Sequence, residues 1–355
     1  VYAHLDTEWR WEYPQVIDEF LPKTMLDNFT LLEKYPHYLF NFTGANRYRM
    51  MKEYWPLDYA RLKNFVAQGR WFPAGSSMEE GDVNAPSAEA ILRQVLYGNE
   101  FFRKEFGVAS EEFMLPDCFG FPWSLPTILA HAGIKGFSTQ KLTWGSSVPD
   151  QASTPVGMKG KGVPFNVGRW IGPDGKDVIA ALNPGSYSGN VTDNLSTDTT
   201  WINRVNRDGE KYGVYADYHY YGTGDTGGAP TEQSVAEVEK SVTSHGPLDV
   251  ISATADQMFK DITPAEAEGL PSYSGEMELQ NHSAGSLTSQ AYQKRWIRQE
   301  ELLADGAEKA SVAAAWLGAR AYPMDRLNGG WTLAMAAHFH AFGSPVTVRA
   351  GEWFV

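Results

Sequence analysis

Residues 87–140 read SAEAILRQVLYGNEFFRKEFGVASEEFMLPDCFGFPWSLPTILAHAGIKGFSTQ. The first part, 87–107, places apolar residues at helical spacing and starts after Pro86 and Ser87, so it predicts an amphipathic helix. EEFMLP (111–116) follows as a strand, LPTILAHAG (125–133) as a helix and KGFSTQ (135–140) as a strand. Upstream, the helical TMLDNFTLLEKY (24–35) precedes the strand HYLFNF (37–42), and PLDYARLKNFVAQ (56–68) precedes GRWFPAG (69–75). Downstream, further strands are predicted at FNVGRWI (165–171), DVIAAL (177–182), VYADYHYY (214–221) and LDVISAT (248–254). This rhythm implies an α/β protein with a mainly parallel sheet and right-handed crossovers. So many repeats favour a β/α barrel over an open sheet.

The pattern changes near residue 286. Residues 287–319 predict one long helix and 331–342 (WTLAMAAHFHAF) a second, with no strand between them. A boundary near 286 therefore separates a β/α domain, 1–286, from a helical one, 287–355. Two helices bury little by themselves, so the second domain reads as incomplete. The opening VYAHL reads as a strand already under way. Residues 144–164, rich in Gly, Ser and Pro, predict a long decorating loop. No internal repeat is visible.

The 355 residues are 43% apolar and 21% charged, an ordinary globular composition with ample material for a core. The net charge of −13 removes the electrostatic drive for binding nucleic acid. No apolar run is long enough to span a membrane. Cys118 is the only cysteine, which excludes internal disulfides and cysteine-based zinc sites. Any metal must be held by His and carboxylates. The 12 tryptophans fit either a well-filled core or a surface that stacks on sugar rings.

The opening stretch, VYAHLDTEWRWEYPQ (1–15), puts His4 and Asp6 two apart on a strand, so both project to one side. At a strand's C-terminal end they could form a chelating arm for zinc or a similar ion, with Trp9 as a sugar platform. Alone, the tripeptide reads more readily as a buried histidine bonded to its neighbour. Asp117 stands where the strand 111–116 ends, and it could equally be a turn or capping residue. Asp225, in the glycine-rich loop after HYY (219–221), could approach a ligand closely or be a turn aspartate. Glu79, Glu80 and Asp82 follow another strand and could grip sugar hydroxyls or be solvated. His282 could line the cleft, while Ser286 or Thr288 could cap the long helix. His338 and His340, two apart on an expected helix, would face different ways, so at most one enters a given site. Cys118 reads as a small buried hydrophobe.

Four separated stretches, AHLDTEWRW (3–11), LPDCFGFP (115–122), YYGTGDTGGAPT (220–231) and HSAGSLTSQAYQKRW (282–296), together resemble family 38 of the glycoside hydrolases, the α-mannosidases, in its bacterial branch. The likeness runs in family order from Tyr2 to about His340. It implies a seven-stranded β/α barrel followed by a three-helix bundle, of which this chain would hold two helices, and then β-sandwich domains that this chain lacks. It implies that His4, Asp6, Asp117 and His340 bind one divalent metal, best suited to zinc, and that Asp117 is also the nucleophile. It implies Trp9 as the sugar platform, Phe119 as an aromatic beside it, and Asp225 as the acid/base. After His340 the chain departs from the family, with Ala341 where the family has an aspartate.

The resemblance implies a metal-dependent retaining α-mannosidase that attacks terminal α-mannosyl linkages through a covalent glycosyl-enzyme on Asp117. Its partner would be a mannose-containing oligosaccharide or glycan, with no nucleic acid and no membrane. Self-association as a homo-oligomer would run through regions outside this chain. Two other readings stay open: a metal-dependent barrel deacetylase with Asp117 as a base, and an inactive carbohydrate-binding fragment.

Overall fold

The computed structural model describes residues 1–148, 162–280 and 283–341. His282 and the chain after Ala341 lie outside the described residues.

The strands are short and their ladders are mostly parallel. β1 (Tyr2–Ala3), β2 (Phe40–Thr43) and β3 (Trp71–Ala74) pair in parallel in that order. β8 (Gly222–Thr223) joins the free side of β1, giving a sheet ordered β3-β2-β1-β8. A second sheet, ordered β4-β5-β7-β6-β9, contains β4 (Glu112–Met114), β5 (Gly136–Ser138), β6 (Val167–Ile171), β7 (Asp177–Ala181) and β9 (Ser272–Ser274). The α/β class is thus as expected. A single closed seven-stranded barrel is not: the strands divide between two hydrogen-bonded sheets.

Three further departures have physical causes. β6 and β7 pair antiparallel, because the intervening chain turns back through Asp174 and Gly175 without a helix. VYADYHYY forms no ladder until Gly222, and LDVISAT forms none. Their aromatic and β-branched residues instead line a cavity of about 760 Å³ with Trp201 and His219. SYS (272–274), too polar to read as a strand, pairs with β6 at the sheet edge.

The helix expected over 87–107 runs over Ala88–Phe106. Ser87 caps its start by accepting the Ala90 N–H, and Gly107 ends it in the left-handed region at φ 74°. Its inner face includes Ile91, Gln94, Val95, Gly98 and Phe102. Gly98 is dictated by contact: a Cβ there would lie 2.4 Å from the Ser77 carbonyl carbon. The helix therefore presses directly on the loop that follows β3. Gln94 fixes that loop, its Oε1 accepting the Glu79 N–H at 3.0 Å while its Nε2 donates to the Met335 carbonyl at 3.0 Å.

The long helix spans Ala291–Trp316. The last one spans Met324–Ala336 rather than 331–342, beginning and ending earlier than expected. His338 and His340 consequently lie on the turn beyond it, where Phe339 pairs with Gly81. Among the described residues, no helix is long and apolar enough to cross a membrane.

His219 stacks on Trp201, with ring centroids 4.3 Å apart. Burial, aided by the nearby Arg204 charge, pushes its pKa down to about 4. An unfolded histidine takes up its proton near pH 6.5. Between these values the unfolded state binds the extra proton, so stability falls as the pH falls. Urea unfolding should show this loss, up to roughly 3 kcal/mol between pH 6.5 and 4, and His219→Phe should remove it. An unchanged pH slope in the variant would contradict the assignment.

Candidate metal centre and active site

Backbone pairing sets the first arm. The His4 N–H donates to Thr223 O at 2.9 Å and the Asp6 N–H to Asp225 O at 2.8 Å. This extension of the β1–β8 ladder turns His4 and Asp6 to the same side. Asp117 follows β4, where Leu115 N–H donates to Ser138 O at 3.0 Å before Pro116 ends the pairing. His340 arrives from the turn after the last helix.

These four residues meet. One ligand atom from each of His4, Asp6, Asp117 and His340 can be chosen so that all lie within 4.8 Å of one another. Asp6 Oδ1 is 3.3 Å from both His4 Nε2 and His340 Nε2. Asp117 Oδ2 is 3.5 Å from His340 Nε2 and 3.9 Å from His4 Nε2. A tetrahedral ion with ligands at about 2.0–2.2 Å requires donor atoms roughly 3.3–3.6 Å apart. His4 Nε2, His340 Nε2 and Asp6 Oδ1 are buried and have no hydrogen-bond partner. Unsatisfied donors facing one point fit a cation.

Glu80 orients both imidazoles. Its Oε2 lies 3.2 Å from His4 Nδ1, and its backbone carbonyl faces His340 Nδ1 at 2.7 Å. Such partners fix which ring nitrogen turns toward a metal. Glu80 is fully buried. Its Oε1 takes hydrogen bonds from Tyr2, Thr43 and Arg47. Glu80, expected among the sugar-gripping acids, is thus turned inward toward His4 and Arg47. Burial opposes its charge, but Arg47 and His4 outweigh burial and hold the carboxyl well below the usual range.

The neighbouring acids divide. Glu79 is buried against Asn46, and burial pushes it up to about 7. Asp82 also lies inward, raised by burial, with its Oδ1 accepting the Asn84 N–H at 2.7 Å and its own N–H donating to His338 O at 2.8 Å. His338 turns the other way, its Nε2 3.7 Å from Glu301. Burial opposes the charge of His4, yet Glu80 and Asp6 raise its pKa to about 10. Burial likewise opposes that of Asp117, but contact with His340 and the charges of Lys141 and His4 keep the carboxyl low. Cys118 is buried and its thiol is pushed up to about 11, so it stays protonated at neutral pH.

Around the cluster lie aromatic and polar groups. The Phe119 ring meets His340 edge-on at 5.6 Å, and Trp9 is partly exposed with Arg10 over its ring at 4.2 Å. Tyr187 Oη donates within 2.9 Å of Asp225 Oδ1 and lies 3.2 Å from Asp117 Oδ1. With legs of 2.9 and 3.2 Å, that shared hydroxyl keeps the two Oδ1 atoms within about 6 Å of each other. Gly224 makes room for it, since a Cβ there would fall 2.3 Å from the Tyr187 ring. Tyr187, Lys141, Arg47 and Tyr2 were not singled out from the sequence. Lys141 stands just past β5, so the strand-end rule that picked Asp117 would have found it. Tyr187, in irregular chain, offered no such signal.

The chain belongs to the glycosyl hydrolase family 38 class: the description "Glycosyl hydrolases family 38 N-terminal domain" matches residues 1–276. It is 31% identical to human alpha-mannosidase 2C1 over 357 residues, covering 99% of this chain and 32% of that protein. It is 29% identical to the alpha-mannosidase of Saccharomyces cerevisiae over 349 residues, covering 95% of this chain and 30% of that protein. The chain thus spans about a third of the length of these relatives. An alpha-mannosidase from Enterococcus faecalis shares the fold, with a TM-score of 0.71 at 18% identity, covering 96% of this chain and 38% of the other.

Arg47→Met would leave the buried Glu80 carboxylate uncompensated. Stability in urea should fall by about 3–5 kcal/mol, and Arg47→Met with Glu80→Gln should recover part of the loss. Equal losses in the single and double variants would rule out charge compensation as the reason for Arg47.

Proposed function

We propose that this chain forms the catalytic region of a retaining α-mannosidase that hydrolyses terminal α-mannosyl linkages of an oligosaccharide or glycan. The observation that carries this reading is the placement of Asp117. One carboxylate oxygen faces the two imidazoles, and the other faces a hydroxyl shared with Asp225. The names of the relatives support the substrate class.

His4, Asp6, Asp117 and His340 would hold one divalent ion, with zinc best suited to two imidazoles and two carboxylates. When bound, the ion would supply a positive anchor for the cis 2- and 3-hydroxyls of a mannosyl ring, which accounts for the preference for mannose. Asp117 attacks the anomeric carbon while Asp225 protonates the leaving oxygen. Asp225 then takes a proton from water as water displaces Asp117. Trp9 offers the stacking platform, Phe119 borders it, and Asp82 and His282 are the further candidates for contact with the sugar hydroxyls. Within this reading, residues 1–286 form the catalytic domain and 287–355 begin a helical bundle.

Treatment with a 5-fluoro-mannosyl fluoride, which keeps the 2- and 3-hydroxyls, should attach one fluorosugar to the protein, and peptide mass analysis should find it on Asp117. Asp225→Asn should lower turnover of poor leaving groups by about 10²–10⁴-fold, with a much smaller loss for activated aryl mannosides. Sugar binding without turnover or labelling would contradict the enzyme reading. Labelling of another residue would contradict the role of Asp117.

A further inference from the structure

Lys141 stands three residues after the end of β5, at the start of a short 3-10 turn, Lys141–Trp144. Its side chain is 3% exposed. A lysine is rarely buried this deeply unless it is paired, and its Nζ is in direct contact with Asp117 Oδ1. The ammonium also lies over two aromatic rings, 5.1 Å from the Phe119 centroid and 3.9 Å from that of Trp144. Those rings hold it by cation–π attraction. Nothing in the four-residue cluster requires a cation here, since Lys141 is not among the donor atoms that converge.

The two oxygens of Asp117 therefore have different surroundings. Oδ2 faces His340 and His4 at 3.5 and 3.9 Å. Oδ1 faces Lys141 and the Tyr187 hydroxyl. We propose that Oδ1 is the oxygen that bonds to the sugar, and that Lys141 is a positioning residue for its release. This inference rests on the mannosidase reading above and adds a division of labour within it.

The chemistry follows the charge. In the first step Oδ1 donates an electron pair to the anomeric carbon, and the aglycone leaves with the proton from Asp225. An ammonium on Oδ1 does not help this step, because it draws charge from the attacking atom. In the second step water adds to the anomeric carbon and gives its proton to Asp225. The bond from that carbon to Oδ1 breaks, and its electron pair returns to Oδ1. Negative charge now grows on the atom Lys141 touches, in a site screened from water. Fixed charges aimed at developing charge are the largest single source of rate in such sites. Lys141 thus favours breakdown of the glycosyl-enzyme over its formation, and Tyr187 keeps Oδ1 and Asp225 in register for both steps.

The test is stopped-flow hydrolysis of an activated aryl α-mannoside by the 355-residue chain, its Lys141→Met variant and its Lys141→Arg variant. Lys141→Met should lower kcat by about 10²-fold, a size typical of losing one donor at a charge-developing oxygen. KM should fall in parallel, so that kcat/KM changes by less than about tenfold. The aryl alcohol should appear as a burst near one equivalent per site, with the glycosyl-enzyme seen by intact mass. Lys141→Arg should restore part of kcat. A loss confined to kcat/KM, with no burst in either variant, would overturn the proposal, because a structural or first-step role gives that pattern. If Lys141→Met fails to fold by circular dichroism, Lys141→Arg decides alone: a reduced kcat with a burst supports the proposal, and either an unchanged kcat or no burst overturns it. Turnover with Asp117 labelling in the unsubstituted chain, but no burst in the variants, removes only this inference. No turnover in the unsubstituted chain removes the mannosidase reading and this inference with it.

Discussion

One buried residue, Glu80, sets the orientation of both histidines. Its carboxylate lies beside His4 Nδ1, and its backbone carbonyl faces His340 Nδ1. Each ring nitrogen so engaged leaves the other, Nε2, to face inward. A carboxylate with no exposure to water would be strongly destabilising unless paired, and here Arg47, Tyr2 and Thr43 converge on it. The site therefore depends on a charge network one layer behind it. Loss of Arg47 would disturb the rings without removing any of the four converging side chains.

That network is delivered by backbone contact more than by side-chain packing. Glu80 sits on the loop after β3, and the helix Ala88–Phe106 fixes that loop. Gly98 lets helix and loop touch, and Gln94 ties the same loop to the end of the last helix at Met335. The turn carrying His340 is thereby set against the loop carrying Glu80, with Phe339 paired to Gly81 and the His340 N–H directed at Glu80 O. An amino acid late in the chain thus completes a centre begun by the fourth. The two sheets contribute separately, His4 and Asp6 from the end of the inner strand β1 of one and Asp117 from the end of the outer strand β4 of the other.

Much of this was legible in the sequence because it follows from local rules. Alternation along β1 put His4 and Asp6 on one side. A proline after an apolar strand placed Asp117 at the strand's end. Helical periodicity with a serine cap located the helix Ala88–Phe106 within one residue at each end. What escaped depends on tertiary context. Periodicity alone extended the last helix through His340, whereas pairing with Gly81 unwinds the chain after Ala336. Glu80 carries the same charge as an exposed acid, and only the arrival of Arg47 from the helix after β2 makes it a buried support. Tyr187 matters through its contact with Asp117 across 70 residues of chain, which no window of sequence contains, whereas Lys141, just past β5, lay within reach of the strand-end rule. The strand expectations at 214–221 and 248–254 failed because their apolar residues line a cavity rather than a ladder.

On this reading four side chains from distant parts of the chain would hold one cation. Diffraction from crystals grown with zinc, recorded on both sides of the zinc absorption edge, tests it most directly. The account predicts one strong anomalous peak bounded by His4 Nε2, Asp6 Oδ1, Asp117 Oδ2 and His340 Nε2, each about 2.0–2.2 Å away. A peak elsewhere, a peak without His340 among its neighbours, or no peak at saturating zinc would contradict it.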